Sequence, residues 1–384
     1  MSVLLVDVCS CEMECLSSWW MCVRYPLKDL SELILLICAR SVLLTNMLIR
    51  ISILVVLALT VTAIELGVED YAFVSSFFDI GRGDWPDEFA RSAETYLYRF
   101  SLLVQLNLPL LLFIDRRHLH TVETIIASHS ETQGVAPTTI VIPIDESFLE
   151  QNVPSWQYKS VESSIMSSSE YITMAESRQD KGTPETKYSA YNCLNHAKVD
   201  FVLIALKYFQ EKHIPIHFIG WVDFGYVAEP FEVEHFSMHK ELLFHEHINF
   251  MIHGDMSPEL ADPRYVFMNT PLKIHGAFWF GSVSAVMAYH ELYHECVQEL
   301  HHLHIADDDQ TVDICCYFKR KDLFQLWRNN VIAVIDGVPQ FLWYIAFIVF
   351  NKRFVREVAV EKFIQYNAQY ANSIIDINNT ADLR

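Results

Sequence analysis

Residues 110–115 read Leu-Leu-Leu-Phe-Ile-Asp, a run of five apolar residues that ends in a carboxylate. The same arrangement recurs in FFDIG at 77–81, VIPID at 141–145 and WVDFG at 221–225. Short apolar runs bounded by turn residues are typical of strands that are buried on both faces. Stretches with a helical period lie between these runs. The sequence therefore predicts an α/β fold, with a mostly parallel sheet and flanking helices.

The predicted elements fill one domain, which we place at residues 71–384. The predicted strands cover 71–78, 109–114, 138–144 and 217–222, and the clearest predicted helices cover 88–106, 119–128 and 193–211. Residues 163–182 are rich in serine and charge, which favours a helix that frays into a surface loop. The apolar run at 341–350 is short and follows a proline, so we interpret it as core.

Each of the four predicted strands ends in an aspartate, at Asp79, Asp115, Asp145 and Asp223. Ligands of open α/β sheets bind beyond the carboxyl ends of the strands. Carboxylates at that edge suit Mg²⁺ or Mn²⁺ together with a phosphorylated ligand. Aspartate is also a common turn and helix-capping residue after a strand, and this alternative stays open.

Composition limits the classes of partner. The net charge of −20 argues against nucleic acid, because phosphate binding needs a concentrated face of lysine and arginine. It fits either a soluble acidic domain or a domain whose carboxylates gather a metal ion. Four cysteines lie in the main domain and leave the disulfide pairing open; they are Cys193, Cys296, Cys315 and Cys316.

The N-terminal part has an apolar run with the pattern of a targeting segment, and a buried core helix is the remaining alternative for it. Residues 51–64 carry no charge, are bounded by Arg50 and Glu65, and are short for a membrane span. From Met47 onward, the sequence has a basic start, an apolar middle and a small-residue cleavage pattern, which is the order found in signal peptides. This order favours Met47 as the start of translation, so residues 1–46 form a doubtful extension. We interpret 47–66 as either a signal peptide or a membrane anchor. Either one places the main domain in the secretory pathway.

His290-Glu-Leu-Tyr-His294 matches the zinc-protease pattern H-E-x-x-H, which sets two imidazoles one helical turn apart. The extended pattern asks for a glycine and a third histidine, where this chain has Val297 and Leu300. A chance match within a polar helix face is the alternative. A second histidine-rich stretch, at 235–253, has the period of a half-exposed strand.

Three other stretches bear on function. Arg82-Gly83-Asp84 is the integrin-ligand triplet, but its apolar neighbours indicate a loop after the first strand, so we regard the triplet as incidental. Residues 275–281 form an apolar run bracketed by glycines, where a backbone or ligand can approach closely. Residues 307–310 read DDDQ, which suits either a helix cap or a catalytic base.

Seven pieces of the sequence occur in an order that resembles the HtrL/YibB-like family, found in bacteria and nematodes. They are FFDIGR at 77–82, RSxExY at 91–96, LLLFID at 110–115, SEY at 169–171, WVDFGY at 221–226, GAFWFG at 276–281 and DDDQ at 307–310. The resemblance spans residues 71–330. The family is poorly characterised, and its bacterial members are associated with lipopolysaccharide-type gene clusters.

The same layout is similar to that of GT-A glycosyltransferases, which bind a nucleotide-sugar at the carboxyl edge of a parallel sheet. The resemblance implies a secretory-pathway enzyme that transfers a sugar to a hydroxyl of a glycan or protein acceptor, with Mn²⁺ or Mg²⁺ held by Asp223. It places Asp79, Arg82 and Lys198 near the nucleotide. It implies that Asp307, Asp308 and Gln310 face the acceptor or the leaving group, with Asp308 as the base.

The sequence departs from these patterns at several positions. Trp221 stands where the D-x-D motif of those enzymes has its first acidic residue. Ala277 and Trp279 stand where we expect a glycine and a phenylalanine in the glycine-rich motif. A non-catalytic binding protein on the same fold is therefore the second hypothesis.

Overall fold

The computed structural model describes residues 70–86, 88–134, 138–228, 246–253, 255–271 and 273–328, with the backbone of three further short strands. The predicted extension at 1–46, the predicted signal peptide or anchor at 47–66 and most of the apolar run at 341–350 lie outside these residues. Within the described part of the chain, no helix is both long and apolar enough to cross a membrane.

Strands and helices alternate over the first three strands, and four helices then follow before the fourth strand. The strands are β1 (Tyr71–Phe77), β2 (Leu110–Asp115), β3 (Thr139–Ile144), β4 (Phe218–Val222), β5 (Ile248–Ile252), β6 (Ile274–Ser282), β7 (Phe324–Arg328), β8 (Ile332–Ile335), β9 (Val338–Phe341) and β10 (Ile375–Asp376). The helices are α1 (Ala93–Leu103), α2 (Leu119–Gln133), α3 (Glu146–Asn152), α4 (Lys159–Met166), α5 (Ser169–Ser177), α6 (Ser189–Glu211), α7 (Pro263–Asn269), α8 (Val283–His302) and α9 (Asp309–Lys319).

Eight strands form one sheet in the order β10-β7-β5-β6-β4-β1-β2-β3, and β8 and β9 form a separate hairpin. β6 runs antiparallel to both of its neighbours, whereas the other paired strands of the large sheet are parallel. The predicted α/β fold with a mostly parallel sheet is confirmed. The proposed domain boundaries stay a prediction.

Both faces of the sheet are covered, as the continuous apolar runs require. In β1, Ala72 and Val74 join a core with α6, α8 and α9, while Tyr71 and Phe73 join a second core with α1 and α2. Successive side chains of a strand point to opposite faces, so one apolar strand contributes to both cores. The sheet is thereby held rigidly, and its edge offers a fixed platform for a site.

The sheet topology gathers the residues of interest at one edge. The strands β1 to β4 are mutually parallel through their pairings, so their carboxyl ends lie side by side. β6 begins at this edge because it pairs antiparallel with β4, with Val222 opposite Phe278. Strand-end aspartates and the first glycine of β6, Gly276, therefore meet there.

Three sequence predictions about local structure are wrong in detail. The stretch at 163–182 contains the end of α4 and all of α5 before it ends in the predicted loop, because the Ser168 side chain caps a new helix by accepting a bond from Tyr171 N. β5, predicted half-exposed, is buried throughout, because Ile248, Phe250 and Ile252 pack into the core on one face of the sheet and Met251 packs into the core on the other. The helix predicted from residue 88 begins at Ala93, where Ser92 supplies the cap.

Candidate functional site

A cavity of about 450 Å³ lies at the carboxyl edge of the sheet. Its walls come from the loops after β1 and β4, the first half of α6, the start of β6 and the start of α9. Six of the seven residues singled out from the sequence line it: Asp79, Arg82, Lys198, Asp223, Asp308 and Gln310. Asp307 is not among its lining residues.

Lys198 lies at the floor of the cavity and joins three elements. Its Nζ donates to Asp309 Oδ2 at 2.6 Å and to the Gly276 carbonyl at 3.2 Å, and it lies 3.1 Å from Asp223 Oδ1. Burial disfavours the ammonium charge, but Asp223 and Asp309 outweigh it and raise the pKa of Lys198. The cavity therefore contains a permanent positive charge that is held between two carboxylates.

Gly276 permits this arrangement. A Cβ at Gly276 would overlap the Asp309 carboxylate, so only glycine leaves room for α9 to approach β6 this closely. The expected close approach of a backbone is found at the other bracketing glycine, Gly281, where an added Cβ would lie 2.9 Å from the His247 carbonyl oxygen.

Neighbouring residues hold Asp223 in place through both its side chain and its backbone. Trp221 Nε1 donates to Asp223 Oδ1 at 2.6 Å, and the Asp223 backbone N–H donates to the Ala277 carbonyl at 2.9 Å. Within the described residues, the second oxygen, Oδ2, has no hydrogen-bond partner, and the side chain is 36 % exposed. One oxygen of Asp223 is thus committed to protein contacts and the other faces outward.

The DDDQ stretch divides its residues between two roles. Asp308 caps α9, where its Oδ1 accepts from Gln310 N at 3.1 Å, and it also lines the cavity. The cap interpretation is therefore confirmed at Asp308, and its role as a catalytic base stays a prediction. Asp307 is buried, and its two oxygens bind Arg178 Nη1 at 3.1 Å and Thr311 Oγ1 at 2.7 Å.

Burial and three neighbouring acids raise the pKa of Asp308 well above its usual range. The acids are Asp309, Asp307 and Glu185, and the capping bond from Gln310 opposes them only in part. A carboxyl group of this kind exchanges a proton closer to neutral pH than an ordinary aspartate does. This is the property that a general base needs.

Three guanidinium groups, from Arg82, Arg91 and Arg99, line the opposite part of the cavity. Burial lowers the pKa of Arg99, and the charges of Arg91 and Arg82 lower it further. No carboxylate of a described residue forms a salt bridge with any of the three. We call these three residues the arginine wall; concentrated positive charge of this kind suits an anionic ligand.

The loop after β1 holds Arg82 in place. Arg82 Nη1 donates to Tyr96 Oη at 2.8 Å and Nε donates to the Phe89 carbonyl at 3.2 Å. The guanidinium also lies 5.2 Å from the centre of the Tyr191 ring. Arg82, Gly83 and Asp84 form a short 3₁₀ turn, so the arginine of the integrin-type triplet is directed into the cavity.

The remaining strand-end aspartates behave differently from one another. Asp79 lines the cavity, and its Oδ1 accepts from Gly81 N at 2.9 Å. Asp115 forms a two-nitrogen pair with Arg117, and Asp145 caps α3 through Phe148 N. The turn and capping interpretation therefore describes Asp115 and Asp145, and a role in the main cavity stays open for Asp79 and Asp223.

The HELYH histidines do not lie on a solvated helix face. His290 and His294 both contact the buried Asp200 of α6, and His301 contacts the buried Glu162 of α4. The interpretation as a polar face fits His302 and His304, which are exposed. It is wrong for His290, His294 and His301, because α8 packs them against two buried carboxylates. Glu291, which a zinc protease would use as its base, is exposed.

The four cysteines of the described residues, Cys193, Cys296, Cys315 and Cys316, are free and buried. The disulfide pairing left open by the sequence is thus not made in this structure.

Sequence reasoning missed Asp309, Arg91 and Arg99. Asp309 is one of three consecutive aspartates, and the sequence does not show which of them contacts Lys198. The contact falls to Asp309 because the helix begins there, with Asp308 as its cap. Arg91 is the first residue of the RSxExY motif, but the motif alone predicts no binding role for it. Two arginines eight residues apart, at either end of an amphipathic stretch, were the available signal.

Fold and cavity together define an α/β protein with a charged ligand cavity at the carboxyl edge of a mostly parallel sheet. Residues 69–340 match the family described as bacterial protein of unknown function (HtrL_YibB). The chain is 27 % identical over 270 residues to "Protein HtrL" of Escherichia coli (strain K12), which covers 66 % of this chain and 86 % of that protein. The chain belongs to the HtrL/YibB family.

Proposed function

We propose that this protein is a nucleotide-sugar-dependent glycosyltransferase of the secretory pathway, which transfers a sugar to a hydroxyl of a glycan or protein acceptor. The observation that carries the proposal is the charge arrangement of one cavity. Arg82, Arg91 and Arg99 line one part, and the cavity also contains Asp308, a carboxyl group of raised pKa. Arginines that can bind a diphosphate and a carboxylate that can accept a proton from a hydroxyl thus lie in the same cavity.

The donor diphosphate would bind along the arginine wall. Guanidinium groups form paired hydrogen bonds to phosphate oxygens, and these charge-assisted bonds are among the strongest in proteins. The three arginines would also stabilise the charge that develops on the departing nucleoside diphosphate. Tyr191 and Tyr96, which lie in the same wall, offer flat surfaces for a base or a sugar.

Mn²⁺ or Mg²⁺ fits the cavity through Asp223. The outward oxygen of Asp223 can supply one ligand, and phosphate oxygens commonly supply others for such ions. A bound ion would neutralise charge on the diphosphate. Lys198, 3.1 Å from the inner oxygen, places a second positive charge beside the same carboxylate.

Asp308 would act as the general base. As the acceptor oxygen forms its bond to the anomeric carbon, the bond from that carbon to the phosphate oxygen breaks, and the acceptor proton passes to Asp308. The nucleoside diphosphate leaves with the electron pair. The raised pKa of Asp308 makes its carboxylate a better proton acceptor than an ordinary aspartate.

A non-catalytic binding protein is the second candidate, and the contact between Trp221 and Asp223 favours it. The indole N–H lies 2.6 Å from Asp223 Oδ1, so a tryptophan occupies the place of a second acidic metal ligand. A site of this kind can keep its arginine wall after catalysis has been lost.

A transfer assay with the full-length chain tests the proposal. The chain is incubated with a panel of nucleotide-sugars and glycan or peptide acceptors, with and without Mn²⁺, and release of nucleoside diphosphate is measured. We expect release with one donor, lowered by about 10²–10⁴-fold in Asp308→Asn. Glycan binding without release from any donor would favour the binding protein instead.

A further inference from the structure

Two histidines and one aspartate converge at a place that the proposed function does not use. His290 Nε2 lies 2.9 Å from Asp200 Oδ1, His294 Nε2 lies 2.8 Å from the same oxygen, and the two nitrogens are 3.2 Å apart. The three ligand atoms belong to two helices, α6 and α8. Among the described residues, these three form a group whose ligand atoms are spaced closely enough to hold a metal ion.

The spacing follows from the helix. Residues four apart lie one above the other on a helix face, so His290 and His294 point the same way toward α6. In a tetrahedral zinc site with bonds of about 2.0–2.1 Å, ligand atoms lie about 3.3 Å from one another. The observed separations of 2.8–3.2 Å need to open by only a few tenths of an ångström to admit an ion.

Outer contacts already orient these ligands. Tyr158 Oη lies 2.8 Å from His294 Nδ1, and Ser155 N donates to Asp200 Oδ2 at 2.8 Å. Such contacts to the far side of a ligand are usual around protein-bound metals. On metal binding, His294 Nε2 would give its lone pair to the ion, and Nδ1–H would donate to the Tyr158 oxygen.

The group is separate from the cavity and open to solvent on one side. Asp200 and Lys198 are two residues apart on α6, so they point in nearly opposite directions. The side chains of His290 and His294 are 16 % and 14 % exposed, whereas that of Asp200 is 1 % exposed. An ion can therefore enter from the histidine side, where a water molecule can complete its coordination.

We propose that Asp200, His290 and His294 form a binding site for a divalent transition-metal ion, with Zn²⁺ as the preferred occupant. Imidazole and carboxylate are ligands that Zn²⁺ takes readily, and three protein ligands with one open position form a known class of zinc site. The ion would join α6 to α8. The site is independent of the nucleotide-sugar cavity.

Metal binding by the full-length chain tests the proposal. The chain carries a tag without histidine, is treated with a chelator and is titrated with ZnCl₂ by calorimetry, with bound zinc counted by elemental analysis. We expect one Zn²⁺ per chain for the wild type. His290→Ala and His294→Ala should each lose this stoichiometric binding, and Tyr158→Phe should weaken it by about 10–100-fold.

His302→Ala is the matched control, because His302 is an exposed histidine at the end of the same helix and should leave binding unchanged. Co²⁺ in place of Zn²⁺ gives a second readout on the wild type, an intense visible spectrum when coordination is tetrahedral. Failure of the wild-type chain to bind Zn²⁺ more tightly than the His290→Ala/His294→Ala double variant would overturn the proposal. So would equal loss of binding in the His302→Ala control.

Discussion

Lys198 Nζ and Asp309 Oδ2 lie 2.6 Å apart, although the two residues are 111 positions apart in the chain. Both side chains are 8 % exposed. The pair ties the middle of α6 to the first residue of α9, and Asp308 immediately precedes that residue. The position of the candidate base in the cavity therefore depends on a buried ion pair behind it.

Replacing the lysine should destabilise the fold. Lys198→Met keeps the length of the side chain but leaves Asp309 buried without its counter-charge, which costs about 3–5 kcal/mol for such pairs. Urea unfolding of the full-length chain measures the loss. Lys207→Met is the control, because Lys207 is exposed on the same helix. Equal unfolding midpoints for the two variants would show that the pair contributes nothing.

Gly276→Ala should disturb the same pair from the strand side. The added Cβ would overlap the Asp309 carboxylate, so either α9 or the side chain must shift. Overpacking of this kind costs about 1–3 kcal/mol. Thermal unfolding should show the loss, while Gly83→Ala, which removes the RGD triplet and meets no atom closer than 3.4 Å, should be nearly neutral. A neutral Gly276→Ala would mean that the approach of α9 is not tight.

The fold could be predicted because its signal is local. LLLFID and the three similar runs are each apolar enough to identify a strand, and the carboxyl ends of parallel strands meet at one edge by geometry alone. The edge strand β3, which contains VIPID, is nevertheless only partly buried. The burial of β5 could not be predicted, because its two faces are covered by the two cores, and the sequence of one strand does not show which elements will pack on it.

The site could be predicted only in part, because its decisive contacts are distant in sequence. The sequence brought Asp308 and Asp223 to the same edge but could not show that Asp307 pairs with Arg178, 129 residues away. The group formed by Asp200, His290 and His294 likewise depends on contacts between residues that are distant in sequence. HELYH supplies two ligands, but Asp200 is 90 residues from His290 and belongs to another helix. The roles of the cavity residues stay predictions.

Transfer activity should rise with pH through an apparent pKa above that of an ordinary aspartate, about 3.9. The neighbouring acids and burial raise the pKa of Asp308, so the group is protonated, and inactive as a base, at a pH where a free aspartate is already ionised. Activity appears as the proton is lost. The profile of kcat/KM against pH measures this, and the apparent value belongs to the whole acidic group. A profile that is flat down to pH 4 would exclude Asp308 as the base.

The central claim is that the three arginines of the cavity bind the diphosphate of the donor. Titration of nucleoside diphosphates into the full-length chain tests this claim most directly. We expect one diphosphate to bind, and Arg91→Gln and Arg99→Gln each to weaken it by about 10–100-fold, since each removes a charge-assisted bond of about 1.5–3 kcal/mol. Arg320→Gln, at a remote exposed pair with Asp322, should have no effect. Absence of binding by every nucleotide, or equal binding by all three variants, would contradict the account.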